Sequence, residues 1–165
     1  MTLTSNRLKY SKFNEDDFTD YFSLVSKLPV MRYATGKAMN LEQAQEKFKK
    51  VIEINKQFSK IGVFSVRSIE NNEFIGLAKI TFLKDGEAEL GYSMLPKYWG
   101  KGYGTEMSTR MVELAQATPV VKKLMAIVDP ENKPSVRILR KQGLSFSEKT
   151  TMDGLPAHIY RRYLH

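Results

Sequence analysis

A chain of 165 residues with 42% hydrophobic content is long enough to bury one core and predicts a single domain over residues 1–165. It has no cysteine, which excludes disulfides, thiolate metal sites and a cysteine nucleophile. The formal charge of +8 is diffuse: residues 1–60 carry 11 basic and 7 acidic side chains and the remainder 15 and 11, so each part is +4 and neither is a basic tail. The polar N-terminal stretch MTLTSNRLKYSKFNEDD, with no apolar run near the ~20 residues of a membrane span, predicts a cytoplasmic protein without a membrane segment.

In chain order, Arg7 to Tyr10 reads as a first strand. Asn14 with Asp17 three residues on forms a capping-box pattern for a helix whose apolar positions Phe18, Tyr21, Phe22 and Val25 share one face, and Pro29 closes it. Asn40 is a candidate N-cap for a second helix carrying Ala44, Phe48, Val51 and Ile52. Three strands follow, Ile61 to Ile69, Phe74 to Leu83 and Glu87 to Leu95, joined by Asn71-Asn72 and Asp85-Gly86, residues that accept positive φ. In the third, Ala88, Leu90, Tyr92 and Met94 alternate with Glu87, Glu89, Gly91 and Ser93, so one face is apolar and the other polar. A helix after Gly104, a buried strand from Lys123 to Val128, a short helix from Pro134 to Gln142 ended by Gly143, and a hairpin turning at Asp153-Gly154 complete the chain. This order gives an α/β (mixed α+β) fold with helices on both faces of a mixed sheet.

The stretch from Tyr98 to Arg110, YWGKGYGTEMSTR, is the chemically telling one. Gly100, Gly102 and Gly104 let the backbone turn tightly and leave its N–H groups uncovered. The 3.6-residue pattern of Thr105, Met107, Met111, Leu114 and Ala115 then opens a helix, and a helix start attracts phosphate by up to ~2 kcal/mol. Two nucleotide-binding designs are excluded. A dinucleotide fingerprint needs glycine where Thr105 stands, and no Gly-Lys-Ser/Thr triplet follows as in a Walker A loop. A flexible loop between strand and helix is the competing reading of three glycines alone.

The stretches AELGYSMLPKYWGKGYGTEM and DPENKPSVRILRKQGL together resemble the GNAT superfamily of acyl-CoA N-acyltransferases, and within it the RimJ/RimL-like branch. The superfamily loop Gln/Arg-x-x-Gly-x-Gly/Ala falls on Trp99 to Gly104, with Trp99 in place of the usual first residue. The resemblance implies a central, mostly antiparallel sheet of six to seven strands with about four helices on both faces. It also implies acetyl-CoA as cosubstrate, its pyrophosphate on the amides of Lys101 to Thr105 and its pantetheine between the strands ending near Leu95 and Val128. Trp99, Gly100, Lys101, Gly102, Tyr103, Gly104, Thr105 and Asn132 are then the cofactor-binding candidates, and a main-chain N–H of Met94 or Leu95 would bind the acetyl carbonyl. Met31, Arg32 and Tyr33, between the first two helices, are candidate acceptor contacts, with linker packing as the alternative.

Transfer of an acyl group from a thioester to an amine needs donors for the oxyanion, an acceptor for the amine proton and stabilisation of the leaving thiolate. Many members of the superfamily carry a tyrosine seven residues after the asparagine as an acid toward the thiol. Leu139 occupies that place here, and Ser135 is the replacement candidate by resemblance; a helix-start serine bonded to its own backbone is the alternative. Glu89 on the polar strand face is the candidate base, acting through water, or else a surface carboxylate. His158 and His165 are the only histidines, so neither a Ser-His-Asp grouping nor a two-histidine metal spacing can be assembled, and no metal is expected.

The resemblance points to a protein N-terminal α-amine as acceptor. At pH 7 such an amine is neutral in roughly one molecule in seven and a lysine amine in roughly one in 2,500, so the former asks far less of a base. The positive surface attracts an acidic protein at long range and repels a polyamine. Antibiotic or polyamine acetylation is the alternative acceptor class. A non-catalytic acyl-CoA-binding or RNA-associated module is the alternative of another kind, although the basic residues form no stripe interleaved with aromatics outside YWGKGY, and nucleic acid is not the expected partner. The sequence leaves monomer and homodimer equally open.

Overall fold

The computed structural model describes residues 2–164. Its core is one sheet of eight strands in the order β1-β2-β3-β4-β5-β6-β8-β7. The strands are β1 (Leu3–Thr4), β2 (Leu8–Lys12), β3 (Gly62–Ser68), β4 (Phe74–Lys84), β5 (Glu87–Met94), β6 (Lys123–Val128), β7 (Ser145–Met152) and β8 (Leu155–Tyr163). Five α-helices are α1 (Phe18–Val25), α2 (Leu28–Met31), α3 (Leu41–Asn55), α4 (Tyr103–Gln116) and α5 (Lys133–Lys141). The mixed, mostly antiparallel architecture is the expected one, with one strand and one helix more. The added strand is two residues long and pairs Leu3 with Tyr10. The added helix arises because Pro29, expected to end a helix, sits in the first turn of α2, where its missing N–H costs nothing.

Local chemistry explains the joints. Asn14 and Asp17 do form a capping box, on a short 3-10 turn that leads into α1, and Asn40 with Gln43 forms another on α3. Asp85-Gly86 and Asp153-Gly154 adopt left-handed φ, the geometry that two-residue hairpin turns require. The β3-β4-β5 meander is antiparallel, whereas β5 and β6 run parallel.

That parallel pair shapes the molecule. The Gly86 carbonyl accepts from the Lys122 and Lys123 amides at 2.7 and 3.1 Å, fixing where the pair begins. Pairing then runs from Glu87↔Lys123 to Glu89↔Met125, although β5 continues to Met94 and β6 to Val128. The two strands therefore diverge beyond Glu89 and Met125, and the sheet splits.

Each face of the split has its own core. Met107, Met111, Leu114 and Leu139 from α4 and α5 pack with Ala88 and Leu90 of β5. Tyr21, Leu24, Phe48 and Val51 from α1 and α3 pack with Phe13, Val63 and Leu77 on the other side. Because Leu77 lies opposite Ser93 and Thr81 opposite Glu89, the odd residues of β5 share the α1–α3 face and the even ones the α4/α5 face. Among the described residues, no helix is long and apolar enough to cross a membrane.

Candidate active site

The glycine loop empties into α4 as its residues dictate. Gly100 and Gly102 have φ of +75° and +84°, a region that L side chains rarely enter, and Gly102 is the N-cap. The first intrahelical bond runs from the Glu106 amide to the Gly102 carbonyl at 3.1 Å, so the Tyr103, Gly104 and Thr105 amides have no acceptor within the helix. No side chain caps them among the described residues. Space beside the loop is open, since a Cβ at Gly100 would meet nothing within 4 Å. Free amides, a helix start and an uncovered backbone fit an anionic phosphate ester.

Gly104 plays a different part from the one its spacing suggested. It is buried, and a Cβ there would lie 3.0 Å from Ile138 Cδ1 and 3.2 Å from Met94 Cε. Its smallness serves the close contact of α4 with α5 and β5. Gly104→Leu is thus expected to destabilise the fold by about 1–3 kcal/mol through overpacking, visible as a lower Tm without ligand.

What holds the loop from outside comes from a residue far away in sequence. Arg7 donates from Nε to Glu106 Oε1 at 2.7 Å, from its amide to Oε2 at 2.8 Å and from Nη1 to the Lys101 carbonyl at 2.9 Å. Its guanidinium also stacks 4.2 Å from the Tyr103 ring centroid. A glutamate in the first turn would repel an incoming phosphate; here it is drawn toward β2 by Arg7 and the Ser5 hydroxyl. No motif joins residues 99 apart, so only the fold could reveal it. Burial alone would raise the Glu106 carboxyl, but hydrogen bonds from the Ser5 hydroxyl and the Arg7 amide and guanidinium outweigh it and hold it below the usual carboxylate range. A depressed folded-state pKa contributes stability above the unfolded carboxylate value, lost as pH falls through the folded one. The Tm difference between the protein and its Glu106→Gln variant should therefore be largest near pH 7 and shrink as pH falls below about 4.

Where β5 ends, the two candidate amides differ. The Leu95 N–H is spent on the Ile75 carbonyl at 2.9 Å, which removes it as a donor. Alternation along an antiparallel pair then turns the Met94 N–H the other way, into the split beside β6. Trp99, about half exposed, folds back so that its indole N–H donates to the Met94 carbonyl at 2.9 Å. Lys101 is exposed at the loop tip.

Across the split, Asn132 is the N-cap of α5 but makes no capping bond with its side chain. Ser135, two residues into α5, does not bond its own backbone: its Oγ lies 2.9 Å from the Tyr92 hydroxyl of β5. Leu139 is buried in the core. Glu89 stands on the opposite, α1–α3 face, at the vertex where the strands part, in an ion pair with Lys79 at 3.3 Å. Of the linker residues, Met31 is 7% exposed and packed in the α1–α3 core, so it offers no contact surface; Arg32 and Tyr33 are exposed.

A mixed sheet split between two parallel strands, with a free helix start at the mouth, defines the architecture of an acyl-CoA N-acyltransferase. The chain belongs to the GNAT acetyltransferase family, its residues 7–145 matching the model described as acetyltransferase (GNAT) domain. It is an acetyltransferase of that family, whose members use acetyl-CoA. The uncharacterized N-acetyltransferase p20 of Bacillus licheniformis is 31% identical over 88 residues, which are 52% of this chain and 48% of that protein, so the match spans about half of that relative. The fold matches a GNAT-family acetyltransferase from Bacillus anthracis with TM-score 0.82 and 22% identity over 99% of both chains. It also matches RimL, a ribosomal L7/L12 alpha-N-protein acetyltransferase in complex with coenzyme A, with TM-score 0.81 and 14% identity over 99% of this chain and 98% of that one. A spermidine N-acetyltransferase from Vibrio cholerae in complex with CoA and spermine matches with TM-score 0.80 and 16% identity over 97% of both.

Proposed function

We propose that this enzyme is a RimJ/RimL-like N-acetyltransferase, one domain over residues 1–165, that acetylates the α-amine of a protein or peptide. The observation that carries the reading is the Lys79–Glu89 ion pair at the vertex of the split. A polyamine site needs carboxylates left over for the remote ammonium groups, whereas the Glu89 carboxylate already neutralises a lysine. An α-amine, neutral in roughly one molecule in seven at pH 7 where a lysine amine is neutral in roughly one in 2,500, needs far less from a base. RimL and the spermidine enzyme match the fold almost equally well, so the fold does not choose between their acceptors.

Acetyl-CoA supplies the acyl carbon activated as a thioester. In this reading the amides of Lys101 to Thr105 bind its pyrophosphate, the Trp99 ring lines the entry, and the Asn132 amide holds the pantetheine arm. The Met94 N–H polarises the acetyl carbonyl. Arg32 and Tyr33 border the acceptor, which enters from the α1–α3 face. There Glu89, with one carboxylate oxygen paired to Lys79, takes the amine proton through water as the C–N bond forms, a role the pair weakens and an easily deprotonated α-amine tolerates. Ser135 donates from the α4/α5 face toward sulfur, which leaves with the C–S electron pair. Placing proton acceptor and thiol donor on opposite faces lets each act without neutralising the other.

The test compares peptides with free and blocked N-termini against spermidine and aminoglycosides, following thiol release. Free-N-terminus peptides with acidic residues nearby are expected to turn over fastest, since the protein carries a charge of +8. Faster turnover of a small polycation would replace this acceptor with the small-molecule class.

A further inference from the structure

The Tyr92–Ser135 contact bridges the split on its α4/α5 face, joining the end of β5 that pairs with β4 but no longer with β6 to the first turn of α5. A serine hydroxyl has one proton and two lone pairs, so what it can offer a ligand depends on where that proton points. The tyrosine has two acceptors within reach on the same residue, Ser135 Oγ at 2.9 Å and the Ser135 carbonyl at 3.4 Å, and the nearer lies at an ordinary O–H···O distance. We infer that Tyr92 is a positioning residue which donates its hydroxyl proton to Ser135 Oγ and so leaves the serine's own proton free to point into the split.

The surroundings of the phenol keep it protonated and so able to donate. Burial against the α4/α5 core pushes the Tyr92 hydroxyl up to about 12, the Ser135 hydrogen bond pulling the other way, so the phenol keeps its proton through the neutral range. A phenol held protonated is a poor proton source that has a proton to donate, and the nearer position of Ser135 Oγ is what directs it there. The device is thus a hydrogen-bond relay with no net proton transfer: sulfur departs as thiolate, whose ordinary pKa of ~8.5 lets it leave without protonation. Leu139 is buried in the core, and the hydroxyl that meets Ser135 comes from β5.

The inference rests on Ser135 being the donor to sulfur, and the test separates the two ideas. Steady-state kcat and KM for acetyl-CoA are measured for Tyr92→Phe, Ser135→Ala and the double variant, with whichever amine the wild type acetylates best. Tyr92→Phe should lower kcat about 5- to 10-fold, the size of one neutral hydrogen bond, with KM nearly unchanged. In the Ser135→Ala background the same change should have no further effect. An equal loss in both backgrounds, as a packing defect would give even in a less stable protein, overturns the inference, as does a Tyr92→Phe variant with full turnover. Full turnover of Ser135→Ala instead removes the serine assignment on which it rests.

Discussion

Gly102→Asp is expected to weaken acetyl-CoA binding by about 2 kcal/mol or more, roughly 30-fold in Kd, while leaving the protein folded. Aspartate is among the residues that best tolerate a left-handed backbone, so at φ +84° its conformational cost is of the order of 1 kcal/mol. Its Cβ also has room, the nearest atom being Arg7 Nη2 at 3.4 Å. The damage is electrostatic. A carboxylate at the N-cap competes for the amides of Tyr103, Gly104 and Thr105 and puts negative charge where the cofactor phosphate would approach. Titration calorimetry with coenzyme A checks it, with Tm as the control for folding. A Kd within threefold of wild type would remove the loop from the binding site. Gly104 serves this test less well, because a side chain there also crowds Ile138 and Met94.

Ser135→Ala should lower kcat by about 10- to 100-fold with acetyl-CoA affinity almost unchanged, because a hydrogen bond to a developing charge contributes ~1.5–3 kcal/mol and exists only as the thiolate forms. Alanine keeps the first turn of α5 intact, as the serine caps nothing there. The measurement is kcat against KM with a constant acceptor. An equal rise in KM with kcat preserved would mean the hydroxyl binds the resting cosubstrate and does not assist departure.

Much of this protein is determined locally and is therefore legible in its sequence. The capping boxes at Asn14 and Asn40, the turns at Asp85-Gly86 and Asp153-Gly154, and the strand alternation from Glu87 to Met94 are all decided within a few residues, by backbone conformation and side-chain period. The same holds for the glycine loop, whose left-handed φ values at Gly100 and Gly102 are the ones glycine adopts most readily. Pro29 misled because a proline is compatible both with a helix end and with a helix start, and only the following packing of Met31 selects the second.

What the tertiary structure decided concerns residues distant in sequence. Whether Leu95 or Met94 offers its N–H depends on the register of β5 against β4, and whether Gly104 serves phosphate or packing depends on where Ile138 lies. Arg7 reaches Glu106, and Tyr92 reaches Ser135, through contacts that no local periodicity encodes. The split follows from β5 and β6 pairing at one end and parting at the other, and the faces it separates assign Glu89 to one side and Ser135 to the other. Local sequence fixes dihedral angles and faces; long-range register fixes which atoms meet, and the chemistry of this site depends on the second.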